Sequence, residues 1–311
     1  MSSLRFWTSS ETGNIVSFTA NAATSLEEHL IKIGAPHTLY VISSQSERSL
    51  AIAQKVVANV VDKYEVIFIP RSIQHTPKDL VDEIHSSLPN PIETPFMLVA
   101  IGGGSTIGLA KALSLQFTDS VPIACIPTSY SGSEMTCICG VTVDNVKKTI
   151  SNPRIQPKLV IYDNSLCQSM TRDLALTSSF NALAHAVEAM WSPTVTPTGI
   201  ILADEGVQVI SSALYKILRG ESDFNSDEIS YQFLYGAYIC GRVLNSTQMG
   251  IHHKLAHVLG GTYKIEHSIA HTILLPYSVS FNRLHAPDAM NRLCKAIGHG
   301  CTDAAESLWV K

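Results

Sequence analysis

The chain has 311 residues, of which 45% are hydrophobic and 15% charged, with a formal net charge of −4. That balance supplies folded cores and excludes a disordered chain. It shows no basic run of the nucleic-acid-binding kind and no stretch near the ~20 apolar residues of a membrane span, so small molecules are the expected partners.

In chain order, Thr38–Ser43 reads as a strand, Glu47–Asp62 as a helix, Glu65–Ile69 as a strand and Pro77–Ser87 as a helix. Pro95–Ile101 is the next strand, Ser105–Leu115 the next helix, and Pro122–Ile126 the strand after it. Apolar strands without polar alternation, interleaved with helices, imply a mostly parallel sheet buried on both faces. After Lys158–Asp163 strand-like runs nearly vanish, and helical spacing takes over. It covers Thr177–Met190, Ile200–Leu218, Ser230–Asn245, Met249–Leu259, His267–Arg283 and Ala289–Val310. Gly260-Gly261 and Pro276 read as breaks. The expected fold class is an α/β dinucleotide-binding domain with a mostly parallel sheet over 1–164, followed by an all-helical domain over 165–311. Met1 to Gly13 carries no apolar run of the signal-peptide kind. The seven cysteines include no Cys-x-x-Cys pair and read as reduced core thiols. A cytoplasmic location is therefore expected.

Two loops carry binding chemistry. Gly102-Gly103-Gly104-Ser105 joins a strong strand to a strong helix. Glycines let backbone approach a ligand, and the helix N-terminus offers free N–H groups and a positive dipole to a pyrophosphate. Ser105 is expected to cap that helix and reach a phosphate. The spacing Gly102-x-Gly104-x-x-x-Gly108 is one residue longer than the Gly-x-Gly-x-x-Gly fingerprint. The next strand ends in Pro127–Glu134, where Thr128, Ser129, Ser131 and Ser133 offer hydroxyls at the sheet end at which α/β proteins gather ligands.

The helical half concentrates histidine. Asn181 and His185, His253 and His257, and His267 and His271 are each four residues apart, so each pair shares a helix face. Spacing of this kind suits a divalent metal, but Asn181 is neutral, so the reading is an acid/base pocket with no metal. Three neutral imidazoles could still hold zinc.

The segments IGGGSTIGLAKAL, IPTSYSGSEMT, KLVIYD, FNALAHAVEAM and HHKLAHVLGGTYKIEHSIAHTILLP resemble the iron-containing alcohol dehydrogenase superfamily, and among its branches the maleylacetate reductases. The resemblance runs from about residue 6 to about residue 300. It implies a dinucleotide domain, a helical domain and an active site in the cleft. It also implies reduction of the C=C of maleylacetate, or of a related small unsaturated or oxo acid, by NADH or NADPH. In metal-dependent members the four ligands match Asn181, His185, His253 and His267, with aspartate at the first. Maleylacetate reductases are similar to this chain in carrying asparagine there and are regarded as working without metal. His257 matches a histidine near the nicotinamide. The chain departs from the family at Glu266, where proline is usual, and at Leu244–Thr247. It stops at Lys311 where the relatives continue through further helices, which marks it as a member with a shortened C-terminus.

The resulting expectation is a hydride transfer assisted by His253, His257, His185, Asn181 and His267, in a homodimer. Lys254 and Arg242 are candidates to attract a carboxylate. The strand end Ile42-Ser43-Ser44 lacks the acidic residue that holds a ribose diol, and Arg48 is close in sequence, which weighs toward NADPH. The rival readings are a redox-silent lyase, isomerase or cyclase using the same cleft, and a non-catalytic partner subunit.

Overall fold

A computed structural model describes residues 6–9, 13–144 and 146–308. The chain divides into two compact units: Met1–Thr128 with Ser133–Ser169, and Ser129–Gly132 with Met170–Lys311.

The first unit is built on strands β1 (Trp7–Ser9), β2 (Ile15–Phe18), β3 (Thr38–Ile42), β4 (Glu65–Ile69), β5 (Phe96–Gly102), β6 (Ile123–Pro127) and β9 (Leu159–Tyr162), in the sheet order β1-β2-β9-β6-β5-β3-β4. Every neighbouring pair is parallel except β1 with β2. Helices α1 (Ala22–Ile33) and α2 (Glu47–Val57) cover one face, their Leu26, Leu30, Ala53 and Val56 packing with Leu39, Val41, Met97, Val99 and Ile101. Helices α3 (Lys78–Ser87) and α4 (Gly104–Gln116) pack on each other, and α4 packs on β5 and β6. The chain steps from β3 outward to β4 and returns to place β5 on the other side of β3. This reversal opens a crevice at the carboxyl ends of β3 and β5, the place where doubly wound sheets hold their ligands. The glycine turn stands at that end of β5.

Sequence periodicity does not reveal β1, β2, α1 or the hairpin of β7 (Ile138–Val143) and β8 (Val146–Ser151). β8 reads Val-Lys-Lys-Thr-Ile-Ser and is mostly exposed, so it lacks the apolar signature of a buried strand. Ser105 is not the cap of α4. It is the second helical residue, Gly103 is the N-cap, and no side chain caps that end.

The second unit is helical: α5 (Arg172–Ala189), α6 (Pro197–Leu218), α7 (Asp227–Ser246), α8 (Ile251–Tyr263), α9 (His267–Asn282), α10 (Pro287–Ile297) and α11 (Ala304–Ser307). α5 packs against α6, α7 and α9, and nearly every residue from Ala175 onward is buried. Three expected boundaries differ. α8 runs through Gly260-Gly261 and ends at Lys264, which takes the left-handed conformation at φ 58°. Two glycines cost a helix about 2 kcal/mol, less than packing along its length supplies. Pro276 lies inside α9. The expected helix Ala289–Val310 is two helices, parted where Gly298, His299 and Gly300 all take positive φ; residues 309–311 lie outside the described residues. Four of the seven cysteines are buried, while Cys137, Cys294 and Cys301 are partly exposed. Among the described residues, no helix is long and apolar enough to cross a membrane.

Candidate active site

In the first unit, Gly102 is the last residue of β5 and its backbone accepts from the Thr128 N–H (3.0 Å). A Cβ on Gly102 would meet Thr106 Oγ1 at 2.3 Å, and that hydroxyl already bonds Ser72 Oγ at 2.8 Å. The turn therefore requires glycine for close approach of its own helix. Gly103, Gly104 and Ser105 are the partly exposed residues between a buried strand and a buried helix. With no side chain capping α4, its first N–H groups suit a phosphate. Thr128 belongs to this unit and its side of the loop resumes at Ser133.

We expect Gly102→Ala to displace Thr106. Thermal melting should show a loss of about 1–3 kcal/mol, the range for overpacking, and nucleotide binding should weaken with it.

Ser129 and Ser131 group with the second unit. There Gly132 takes φ +71°, and its carbonyl lies so close to α7 that a Cβ on Gly241 would meet it at 2.4 Å. Tyr130 is buried against Phe233 with ring centroids 5.2 Å apart. The hydroxyl loop is thus held by packing as well as by sequence-local turns.

Three positions on one face of α5 build the histidine site: Asn181, His185 and Glu188. Glu188 is 1% exposed. Its carboxylate accepts from the His252 backbone N–H (2.7 Å), the His253 backbone N–H (3.3 Å) and His253 Nδ1–H (2.5 Å). Gly250, the N-cap of α8, has no side chain to offer, so Glu188 caps α8 from another helix and sets the ring of His253 in the same contact. It is the functional residue that spacing missed. In the string it looks like an ordinary helix-surface charge.

His185 stacks on His253 with centroids 5.1 Å apart, and His271 lies 4.6 Å from His253. His252, also unmarked by spacing, bonds Ser278 Oγ through Nδ1 (3.1 Å) and His271 Nδ1 through Nε2 (2.7 Å). His271 Nε2 meets His267 Nε2 at 3.2 Å. Each of these ring–ring contacts needs one N–H, so with His252 and His271 neutral the chain Ser278–His252–His271–His267 is ordered in a single direction. Burial, reinforced by neighbouring imidazoles, holds His185 and His271 well below the ordinary histidine range and brings His252 down to about 3. These three rings are neutral near pH 7. His257 is only half-buried, its ring 5.9 Å from that of His267.

Asn181 Nδ2 donates to the Ser131 carbonyl at 3.4 Å, which leaves its Oδ1 as the outward group. Asn181 Oδ1 and His185 Nδ1 are both buried without a hydrogen-bond partner. Orphaned polar atoms of this kind cost free energy unless a ligand satisfies them. Arg242 is committed to Tyr238, bonding its hydroxyl at 3.0 Å. Lys254 is exposed on α8. Neither is brought into the cluster of rings. Arg48 is likewise engaged: it donates to Ser169 Oγ (2.8 Å), the Leu166 carbonyl (3.0 Å) and the Thr128 carbonyl (3.3 Å). It therefore gives little support to a preference for a 2′-phosphate.

An iron site of the aspartate-and-three-histidine kind would lack its aspartate here. Position 181 is an amide, and the nearby carboxylate of Glu188 is turned to the N–H groups of α8. Among the described residues, the ring nitrogens of His252, His253 and His271 lie within 4.8 Å of one another and form a group that could hold a metal ion.

Residues 14–164 match the iron-containing alcohol dehydrogenase family, and residues 175–308 match the C-terminal domain of the Fe-containing alcohol dehydrogenase family. The chain is 39% identical over 282 residues to a maleylacetate reductase of Pseudomonas sp. (strain P51), covering 91% of this chain and 77% of that protein. It superposes on the crystal structure of a putative alcohol dehydrogenase from Ralstonia eutropha JMP134 with a TM-score of 0.85 and 31% identity, over 97% of this chain and 82% of that one. Maleylacetate reductase from Rhizobium sp. strain MTP-10005 gives a TM-score of 0.83 and 30% identity, over 98% and 83% of the two chains. The chain is an oxidoreductase belonging to the iron-containing alcohol dehydrogenase family.

Proposed function

We propose that the protein is an NAD(P)H-dependent reductase of a small unsaturated or oxo acid, of the maleylacetate class, working through histidines and without a resident metal. The observation that carries the reading is the pair of buried, unsatisfied atoms Asn181 Oδ1 and His185 Nδ1 beside the Glu188–His253 dyad, in a chain 39% identical to a maleylacetate reductase.

The reduced nicotinamide, when bound, supplies the hydride. The chain's own residues do the rest. Gly102, Gly103, Gly104 and Ser105 present backbone N–H groups to the pyrophosphate, with Thr128 and Ser133 of the same unit offering hydroxyls. Glu188 holds the proton on His253 Nδ1, so proton exchange with a bound acid runs through Nε2. Asn181 Oδ1 and His185 Nδ1 orient a polar group of the substrate. His267 ends the imidazole chain. His257, on the same face of α8 as His253, completes the catalytic set from the half-exposed side. Because the end of β3 is Ser43-Ser44 and Arg48 is engaged elsewhere, both NADH and NADPH should support turnover.

A homodimer belongs to this reading. Ile269, Ile273, Tyr277 and Phe281 recur every four residues on α9 and are exposed, which gives a second copy an apolar stripe to cover. A cytoplasmic location is favoured because the cysteines are present as thiols and not as disulfides.

The test is to follow NADH and NADPH absorbance at 340 nm with maleylacetate. Oxidation of either cofactor, lost in His253→Ala, supports the proposal. Cofactor-independent conversion of the substrate would replace it with a redox-silent reading.

A further inference from the structure

Lys111 is 0% exposed, in the middle of α4. Its ammonium donates to the carbonyls of Ser133 (2.5 Å), Thr136 (2.6 Å) and Ile138 (3.1 Å) and to Thr136 Oγ1 (3.0 Å). Thr136 Oγ1 in turn bonds the Ser133 carbonyl at 3.0 Å. Three donors thus meet four oxygens, all of them on the turn that follows the hydroxyl-bearing loop. Glu134, on the same turn and fully buried, accepts from the Tyr162 hydroxyl at 2.8 Å at the end of β9. A buried ammonium is costly unless its hydrogen bonds are complete, and a lysine that only filled space here would be replaced without loss by leucine or methionine. Its place is specific: one end of α4 is the glycine turn, and Lys111 fastens the same helix to the segment carrying Ser133.

We propose that Lys111 is a positioning residue for the dinucleotide: it fastens the helix that opens at the glycine turn to the Ser133–Ile138 segment of the same unit, and cofactor affinity depends on its positive charge. This rests on reading the first unit as the dinucleotide domain.

The charge has a limit within reach of experiment. Burial brings the Lys111 ammonium down to about 8; the titratable groups that face it are Cys125, Cys139, Glu134 and Cys137. Burial pushes the Cys125 and Cys139 thiols up to about 12 and about 11, so both stay neutral below pH 10. Above pH 8 the amine loses one N–H and turns a lone pair toward carbonyl oxygens. That fastening should then loosen.

The experiment is NADH fluorescence titration of the wild type, Lys111→Met and Cys137→Ser between pH 6.5 and 9.5, with kcat measured at saturating cofactor. We expect Lys111→Met to weaken NADH at least tenfold at pH 7 while kcat changes less than threefold. Wild-type affinity should fall as pH rises through about 8, in Cys137→Ser as well, and the fall should be absent in Lys111→Met. A wild-type affinity flat from pH 7 to 9.5 overturns the inference without any variant, as does a folded Lys111→Met that binds like the wild type. Failure of the wild type to bind NADH and NADPH at pH 7 overturns the dinucleotide reading and this inference with it.

Discussion

Glu188→Gln should lower kcat by a factor of about 10² to 10⁴ with a much smaller change in the affinity for NADH. The carboxylate is the acceptor for three N–H groups, two on the α8 backbone and one on His253. An amide has one oxygen to offer and brings N–H groups of its own. If the oxygen keeps the α8 backbone, the amide nitrogen faces His253 Nδ1 and selects the wrong tautomer, moving the exchangeable proton to Nε2. In the serine-protease triad, changing the carboxylate behind histidine to an amide costs about 10⁴ in kcat for this reason. Charge is lost at the start of α8 as well, which adds about 1–2 kcal/mol of destabilisation. Circular dichroism separates the two effects: the variant should stay helical at 25 °C while turnover collapses. Glu188→Asp, which keeps the charge, should recover part of the activity. A folded Glu188→Gln with wild-type kcat would show that the dyad does not matter to the reaction.

Acid should unfold the helical unit at a pH where most enzymes are still stable. His185, His252 and His271 are held neutral in the fold, His252 with its pKa brought down to about 3 by burial and by His253. In the unfolded chain each takes up a proton near pH 6.5. The folded values are the lower ones, so this stability is complete above pH 6.5 and is withdrawn as pH falls toward the folded values. Each ring withdraws up to about 1.4 kcal/mol per pH unit, about 4 kcal/mol for the three together. Whole-protein stabilities are about 5–15 kcal/mol, so one to two pH units decide the outcome. Urea midpoints at pH 7.5, 6.5, 5.5 and 5.0 measure it. We expect a steep fall between 6.5 and 5.0, and equal midpoints at 7.5 and 5.0 would contradict neutral burial of the cluster.

Which of these features could be seen in the amino-acid string follows from how local their causes are. The Phe96–Gln116 strand–turn–helix is written in consecutive residues, because an apolar run, glycines and a helical run need no distant partner. Asn181 and His185 announce a shared face through four-residue spacing. Glu188 does not, since its burial depends on where the start of α8 at Ile251 docks, 63 residues later. Lys111 looks like the polar face of a surface helix until the Ser133–Ile138 turn folds over it. Gly260-Gly261 gives a correct local signal for a break, which the packing of α8 on α9 overrides. The hairpin β7–β8 is hidden for the opposite reason: β8 reads Val-Lys-Lys-Thr-Ile-Ser, and only pairing with β7 makes it a strand.

The metal question bears most directly on the account, because on the proposed reading Asn181 turns a ligand set into an acid/base pocket. The deciding measurement is the rate of NAD(P)H oxidation with maleylacetate before and after exhaustive chelation, with metal content determined on the same samples. The account predicts less than 0.1 iron or zinc per chain, a threshold set on the order of a tenth of stoichiometric occupancy, and an unchanged rate. Stoichiometric metal, with activity lost on chelation and restored by Fe²⁺ or Zn²⁺, would contradict it.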